Sequence, residues 1–132
     1  MLALITGGSG FVGKHLADYL SDCGDDVLTT DISDGGPDLL DQTEINELIL
    51  SLQPQVVYHL AGQADVGASW SSPTTTFRIN AEGTLNVLSA CRGAGVERVL
   101  TISSAEVYGK VSHESLPIDE SLPLVPASPY AV

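Results

Sequence analysis

The chain has 132 residues and carries 17 Asp and Glu against five Lys and Arg, a formal charge of −12. That length supports one hydrophobic core and is short for an enzyme that must also enclose a substrate. The acidity argues against nucleic acid or an anionic membrane as partner.

The N-terminal apolar run covers only residues 1–5 with no basic stretch beside it, so neither a signal peptide nor a membrane span is expected and a cytoplasmic location is. Cys23 and Cys91 fall at small-hydrophobe positions of predicted helices, which predicts buried free thiols, and no metal-ligand spacing occurs.

Residues 2–5 form a short apolar run of the kind a parallel sheet buries on both faces, followed directly by Gly8-Ser-Gly10-Phe-Val-Gly13. The spacing predicts a strand, a glycine turn and a helix. Each glycine has its own reason: a tight turn at Gly7 and Gly8, a bare backbone against a pyrophosphate at Gly10, and close helix-to-strand packing at Gly13. Val12, Leu16, Tyr19, Leu20 and Cys23 recur at helical spacing, Gly24 stops the helix, and a second strand over 27–30 ends in Asp31. An acid at that distance from the glycines is placed to hold the adenine-side ribose hydroxyls, which points to a dinucleotide site. A carboxylate there repels a 2′-phosphate, so NAD is favoured, with NADP the alternative.

After the turn-rich residues 32–37, Asp41 is the expected N-cap of a helix whose stripe is Ile45, Leu48, Ile49 and Leu52. The strand that usually precedes such a helix is very short or missing. Residues 56–60 read as a buried strand opening into the small-residue run Ala61-Gly-Gln-Ala-Asp65, where a ligand can approach the backbone. Residues 72–94 read as one long helix with Pro73 near its start, and 98–102 as the last strand, closing into Ser103-Ser-Ala-Glu-Val-Tyr-Gly109. The proline-rich remainder, 110–132, is expected to form an irregular arm. Alternating strands and helices predict an α/β, doubly wound parallel sheet of Rossmann-like type, with 1–132 as its dinucleotide-binding domain.

Thr6-Gly-Gly-Ser-Gly-Phe-Val-Gly13, Asp31, Asp38-Leu39, His59-Leu-Ala-Gly62, Asn80 with Gly83-Thr84, Ser103-Ser-Ala-Glu-Val-Tyr-Gly109 and Ser128-Pro-Tyr130 occur in this order. As a set they resemble the extended short-chain dehydrogenase/reductase family, the NAD-dependent nucleotide-sugar epimerases and dehydratases. Within it, the run 63–70 and the triplet Ser104-Ala-Glu106 look most like the GDP-mannose 4,6-dehydratases and their partner reductases. The resemblance implies that Gly7, Gly8, Gly10, Phe11, Val12 and Gly13 wrap the pyrophosphate and that Asp31 holds the ribose. It places Asp38 and Leu39 along the adenine, and Leu60, Ala61, Gly62, Gln63, Asn80 and Ser103 beside the rest of the cofactor. It makes Ser104 and Tyr130 the catalytic pair and Glu106 the general base of a dehydratase.

The implied activity is hydride transfer at C4 of a nucleotide-sugar, with loss of water across C5 and C6. A 4-keto reductase or a 4-epimerase is the alternative, with a non-catalytic dinucleotide-binding module or structural remnant as the reading from another class. Moving that hydride requires a proton to leave or join the hydroxyl oxygen, and a phenol does this near neutral pH only when its anion is stabilised. Plainer readings stand beside these: Ser103 and Ser104 ending a strand, Glu106 a solvated loop acid, Tyr130 a packing ring, Trp70 a packed loop aromatic, His59 a satisfied histidine. The family's tyrosine is followed four residues later by a lysine, and here Val132 is the last residue. The expectation is therefore a fragment, inactive by itself, of an enzyme that is a homo-oligomer at full length.

Overall fold

Residues 2–6 form β1 (Leu2–Thr6), four of whose five residues are buried, as a central parallel strand requires. Helix α1 (Phe11–Asp22) and β2 (Asp26–Thr30) follow, then α2 (Gln42–Leu52), β3 (Val56–His59), two short helices α3 (Val66–Ser71) and α4 (Pro73–Phe77), helix α5 (Gly83–Ala94) and β4 (Arg98–Thr101). The computed structural model describes all 132 residues, Met1–Val132. It resolves into two compact units: residues 1–62 with 78–102, and residues 63–77 with 103–132.

The first unit is a parallel sheet in the order β2-β1-β3-β4. Leu4 and Val57 on one face pack with Ile45 and Ile49 of α2 and Val87, Ala90 and Cys91 of α5. Ala3, Ile5 and Val56 on the other face pack with Leu16 and Leu20 of α1. A sheet covered on both faces is the doubly wound arrangement that the alternating elements predict. No strand lies between Asp31 and α2, so β2 is an edge. No helix is long and apolar enough to cross a membrane.

Asp41 caps α2 as expected, accepting from the Thr43 and Glu44 N–H groups at 3.0 Å each. Losing that cap in Asp41→Ala is expected to cost about 1 kcal/mol, read as a thermal midpoint lower by about 4 °C.

Three expectations need correction. The helix read over 72–94 is broken: α4 ends at Phe77, residues 78–82 form a π turn, and α5 starts at Gly83. A Cβ on Gly83 would stand 2.8 Å from Leu39 Cβ, so a glycine that looks like a cost in a helix is what allows α5 to seat on Leu39. Cys91 is buried, but Cys23 sits at the C-cap of α1 and is exposed. Val12 and Tyr19 are exposed as well, because the side of α1 that packs on the sheet is the narrow stripe of Leu16, Ala17 and Leu20.

In the second unit, Asp65 caps α3 through the Ala68 N–H, a helix where the sequence suggested a loop. Trp70 on that helix is 64% exposed, so it is not packed within this chain. Residues 103–132 are irregular apart from two 3-10 turns, Ala105–Tyr108 and His113–Ser115, and the Val125 N–H bonds to Val107 O at 2.9 Å.

Candidate functional site

In the first unit the chain leaves β1 through Gly7, held at φ +74°, where a Cβ would meet the Ala61 nitrogen at 2.7 Å. Gly7 and Gly8 both donate to Thr30 O, at 2.9 and 3.2 Å, which turns the chain sharply at the C-terminal end of β1. At Gly13 a Cβ would overlap Gly7 O and reach within 2.8 Å of Gly8 Cα. These three glycines are filled spaces.

Gly10 differs, since a Cβ there would meet only Gly7 O, at 3.2 Å, in an exposed position. It is the N-cap of α1 with no side-chain cap, and the first turn carries no acid. The first backbone bond into the helix is Lys14 N–H to Gly10 O, which leaves the N–H groups of Phe11, Val12 and Gly13 without a carbonyl partner. Unfilled amides at the positive end of a three-turn helix form a cradle that fits a diphosphate.

Asp31 stands at the end of β2, next to this turn. Its carboxylate accepts from Ser33 N–H at 3.0 Å and Ser33 Oγ at 2.9 Å, and the Ser9 backbone N–H points to it. These donors, the Ser33 N–H foremost, hold its pKa below the ordinary carboxylate range. The Ser9 hydroxyl donates to Asp34, an acid that sequence reasoning passed over. Asp38 turns the next loop by accepting from the Leu40 N–H, and Leu39 O accepts from Asn86 Nδ2 at 2.8 Å.

Leu60, Ala61 and Gly62 run out of β3 against Gly7, and a Cβ on Gly62 would lie 3.0 Å from Asn80 Oδ1. The unit therefore gathers the glycine turn, Asp31, the post-β3 backbone and Asn80 around one end of the sheet, beyond the C-terminal ends of its strands, where open α/β sheets take ligands. His59 is buried and bonded on both ring nitrogens, so it is the satisfied histidine that was expected. Its partners Thr6 and Thr84 were not foreseen as a group.

In the second unit Ser104 caps the turn that carries Glu106, its Oγ accepting from the Glu106 N–H at 3.2 Å. Ser103 and Ser104 line an open depression of about 530 Å3 with Tyr108, Ile118 and Asp119. Glu106 and Tyr130 are not among its walls. Tyr130 is half-buried in a turn closed by Ala131 N–H to Ser128 O at 3.0 Å. Gln63 also belongs to this unit, its amide donating to Asp65 O at 2.9 Å.

Two relatives with assigned names are informative. The GDP-6-deoxy-D-mannose reductase of Pseudomonas aeruginosa is 42% identical over 97% of this chain and 42% of its own length. The GDP-mannose 4,6-dehydratase of Yersinia enterocolitica is 33% identical over 98% of this chain and 42% of its own. Among solved structures, Thermus thermophilus UDP-glucose 4-epimerase in complex with NAD superposes with a TM-score of 0.89 at 34% identity, covering 99% of this chain and 46% of that one. The P. aeruginosa protein RMD complexed with NADPH superposes at 0.82 with 40% identity, covering 98% and 43%. The chain thus spans less than half the length of these proteins. With the match extending from residue 3 to residue 132, the chain belongs to the NAD dependent epimerase/dehydratase family.

Proposed function

We propose that the chain is the dinucleotide-holding part of an oxidoreductase that moves hydride at C4 of a GDP-linked hexose, and that it takes NAD. The observation that carries the reading is the cradle at Gly10: bare amides at the start of α1 with no side chain in front of them. Gly7, Gly8 and Gly13 shape this turn, the N–H groups of Phe11 and Val12 hold the diphosphate, and Asp31 accepts from the ribose hydroxyls. Asp38 and Leu39 line the adenine side, and Leu60, Ala61, Gly62 and Asn80 line the remainder within the first unit. The bound nicotinamide supplies the place from which hydride comes and to which it goes. Asp31, charged at neutral pH and backed by Asp34, disfavours a 2′-phosphate. That argument weighs for NAD although one similar structure holds NADPH.

The serine and the tyrosine handle the proton. Ser104 Oγ already accepts from the Glu106 N–H, so its own hydrogen is free to donate to a sugar oxygen and fix its orientation. Tyr130 exchanges a proton with that oxygen as the carbon gains or loses hydride. Identity to a reductase over nearly the whole chain favours reduction of a 4-keto sugar. A second reading, 4,6-dehydration, is favoured by Glu106 on the turn that Ser104 caps, an acid able to take the C5 proton once C4 is a ketone.

The test uses the protein containing this chain, titrated calorimetrically with NAD and NADP and then incubated with GDP-mannose plus the oxidised cofactor, or with its 4-keto-6-deoxy product plus the reduced cofactor, before mass analysis. NAD should bind at least about tenfold tighter than NADP, since like charges about 4 Å apart near a protein surface repel by about 4 kcal/mol and about 1.4 kcal/mol is tenfold. A gain of two hydrogens by the keto sugar identifies the reductase, and loss of one water from GDP-mannose the dehydratase. Absence of both binding and turnover overturns the reading.

A further inference from the structure

Five polar groups inside the first unit form a single chain of four hydrogen bonds whose direction the geometry fixes. The Ala61 N–H donates to Thr6 Oγ1 at 3.3 Å, Thr6 Oγ1 meets His59 Nδ1 at 2.7 Å, His59 Nε2 meets Thr84 Oγ1 at 3.0 Å, and Thr84 Oγ1 lies 2.6 Å from Asn80 O. A carbonyl can only accept, so the Thr84 hydroxyl gives its hydrogen to Asn80 O and must accept from His59. Nε2 therefore bears the proton and Nδ1 is bare. Thr6 already accepts from the Ala61 amide and gives its own hydrogen to Nδ1. Every donor finds one acceptor, and only the neutral Nε2–H imidazole satisfies them all.

Burial also lowers the His59 pKa, and the residue is only 3% exposed, as is Thr6. A second proton on Nδ1 would turn the Thr6 hydroxyl hydrogen away from its partner inside the core.

The two ends of this chain are the two stretches the dinucleotide reading needs. One is the Ala61 amide, beside Gly7 and next to Gly62. The other is the carbonyl of Asn80 on the π turn, whose side-chain Oδ1 stands 3.0 Å from where a Gly62 Cβ would be. The π segment is a single turn, and the Thr84 hydroxyl adds a side-chain bond to its Asn80 carbonyl beyond the backbone bonds of the turn.

We propose that His59 is a positioning residue for the bound dinucleotide: as a neutral Nε2–H bridge from Thr6 to Thr84 it locks the post-β3 backbone and the Asn80 turn into one wall of the site. The proposal rests on the dinucleotide reading above and assigns a role to residues which that reading leaves out. It separates Thr6, His59 and Thr84 from ordinary core polar groups by what they hold.

The experiment compares wild type with Thr84→Val, which keeps the shape but removes both bonds of Thr84, and with Thr84→Ser, which keeps both. Thr6→Val interrupts the chain from its other end. Long-range proton–nitrogen NMR spectra of the ligand-free protein read the tautomer, calorimetry reads the NAD Kd, and thermal melting without ligand reads the fold. Expected are the Nε2–H tautomer in wild type, an NAD Kd raised about tenfold or more in both valine variants, and recovery in Thr84→Ser, since partners that orient a site carry effects of this size.

A protonated or Nδ1–H imidazole in wild type would overturn the proposal. So would valine variants that bind NAD as wild type does, or whose lost affinity is matched by an equal loss of ligand-free stability. Wild type that binds no NAD would instead overturn the dinucleotide reading, with the tautomer measured all the same.

Discussion

Gly13→Ala is expected to destabilise the first unit by about 3 kcal/mol, whereas Gly10→Ala, three residues earlier, is expected to cost at most about 1 kcal/mol and still lose NAD. The contrast follows from what each methyl would meet. At Gly13 it would overlap Gly7 O and press on the Gly8 backbone, and main-chain atoms locked into the β1 turn by two bonds to Thr30 cannot move aside. At Gly10 the backbone is extended, with φ −69° and ψ 169°, and the methyl meets one oxygen at 3.2 Å. Alanine fits the fold there but stands where the diphosphate would touch the chain. Thermal melting should show Gly13→Ala falling by about 10 °C and Gly10→Ala by a few degrees. Titration should then show the NAD affinity of Gly10→Ala reduced at least about tenfold, the effect of one lost close approach. Should Gly10→Ala bind NAD like wild type, no ligand lies against that backbone and the cradle reading fails.

The same β1 junction explains why so much was legible in advance. Glycines with different steric demands and a buried apolar run before them are local signals, and the φ of +74° at Gly7 and the overlap at Gly13 are the tight turn and the close packing that they implied. Asp41 was readable because a cap acts on amides two and three residues away.

What escaped the sequence depends on partners far along the chain. Gly83 is by propensity a poor helix residue, and its reason lies in Leu39, 44 residues earlier, which fills its empty side. The π turn leaves no periodic trace, since one extra residue per turn shifts the apolar stripe without erasing it. Cys23 was read as buried from its place in a helical repeat, but the repeat ended one position sooner than the helix cap. The pairing of Thr6 with His59 is a matter of strand register, set by which residues of β1 and β3 lie opposite each other, and no stretch of either strand encodes it alone.

Tyr130→Phe is expected to lower kcat by about a thousandfold and Ser104→Ala by about a hundredfold in the protein containing this chain, with the NAD Kd unchanged within about threefold. In the proposed function the two differ because they do different work on one oxygen. Removing the phenol hydroxyl removes the group that exchanges the proton, and the remaining path runs through water. Removing the serine hydroxyl leaves the proton path and loses one oriented donor. Ser104→Ala also takes the cap from the Ala105–Tyr108 turn. Ser104→Thr keeps an oxygen at that position and should recover most of both losses, while Ser104→Ala with unchanged kcat would reduce the serine to a cap.

Glu106→Gln then divides the two activities. If the enzyme dehydrates, this substitution removes the base for the C5 proton, and water loss should stop while hydride still reaches the cofactor, visible as reduced nicotinamide absorbance that does not discharge. If the enzyme reduces a 4-keto sugar, no carbon-bound proton is abstracted and Glu106→Gln should retain kcat within a few-fold. A Tyr130→Phe variant as active as wild type would remove the phenol from the chemistry under either assignment. The turn of residues 128–131 would then be a structural element alone.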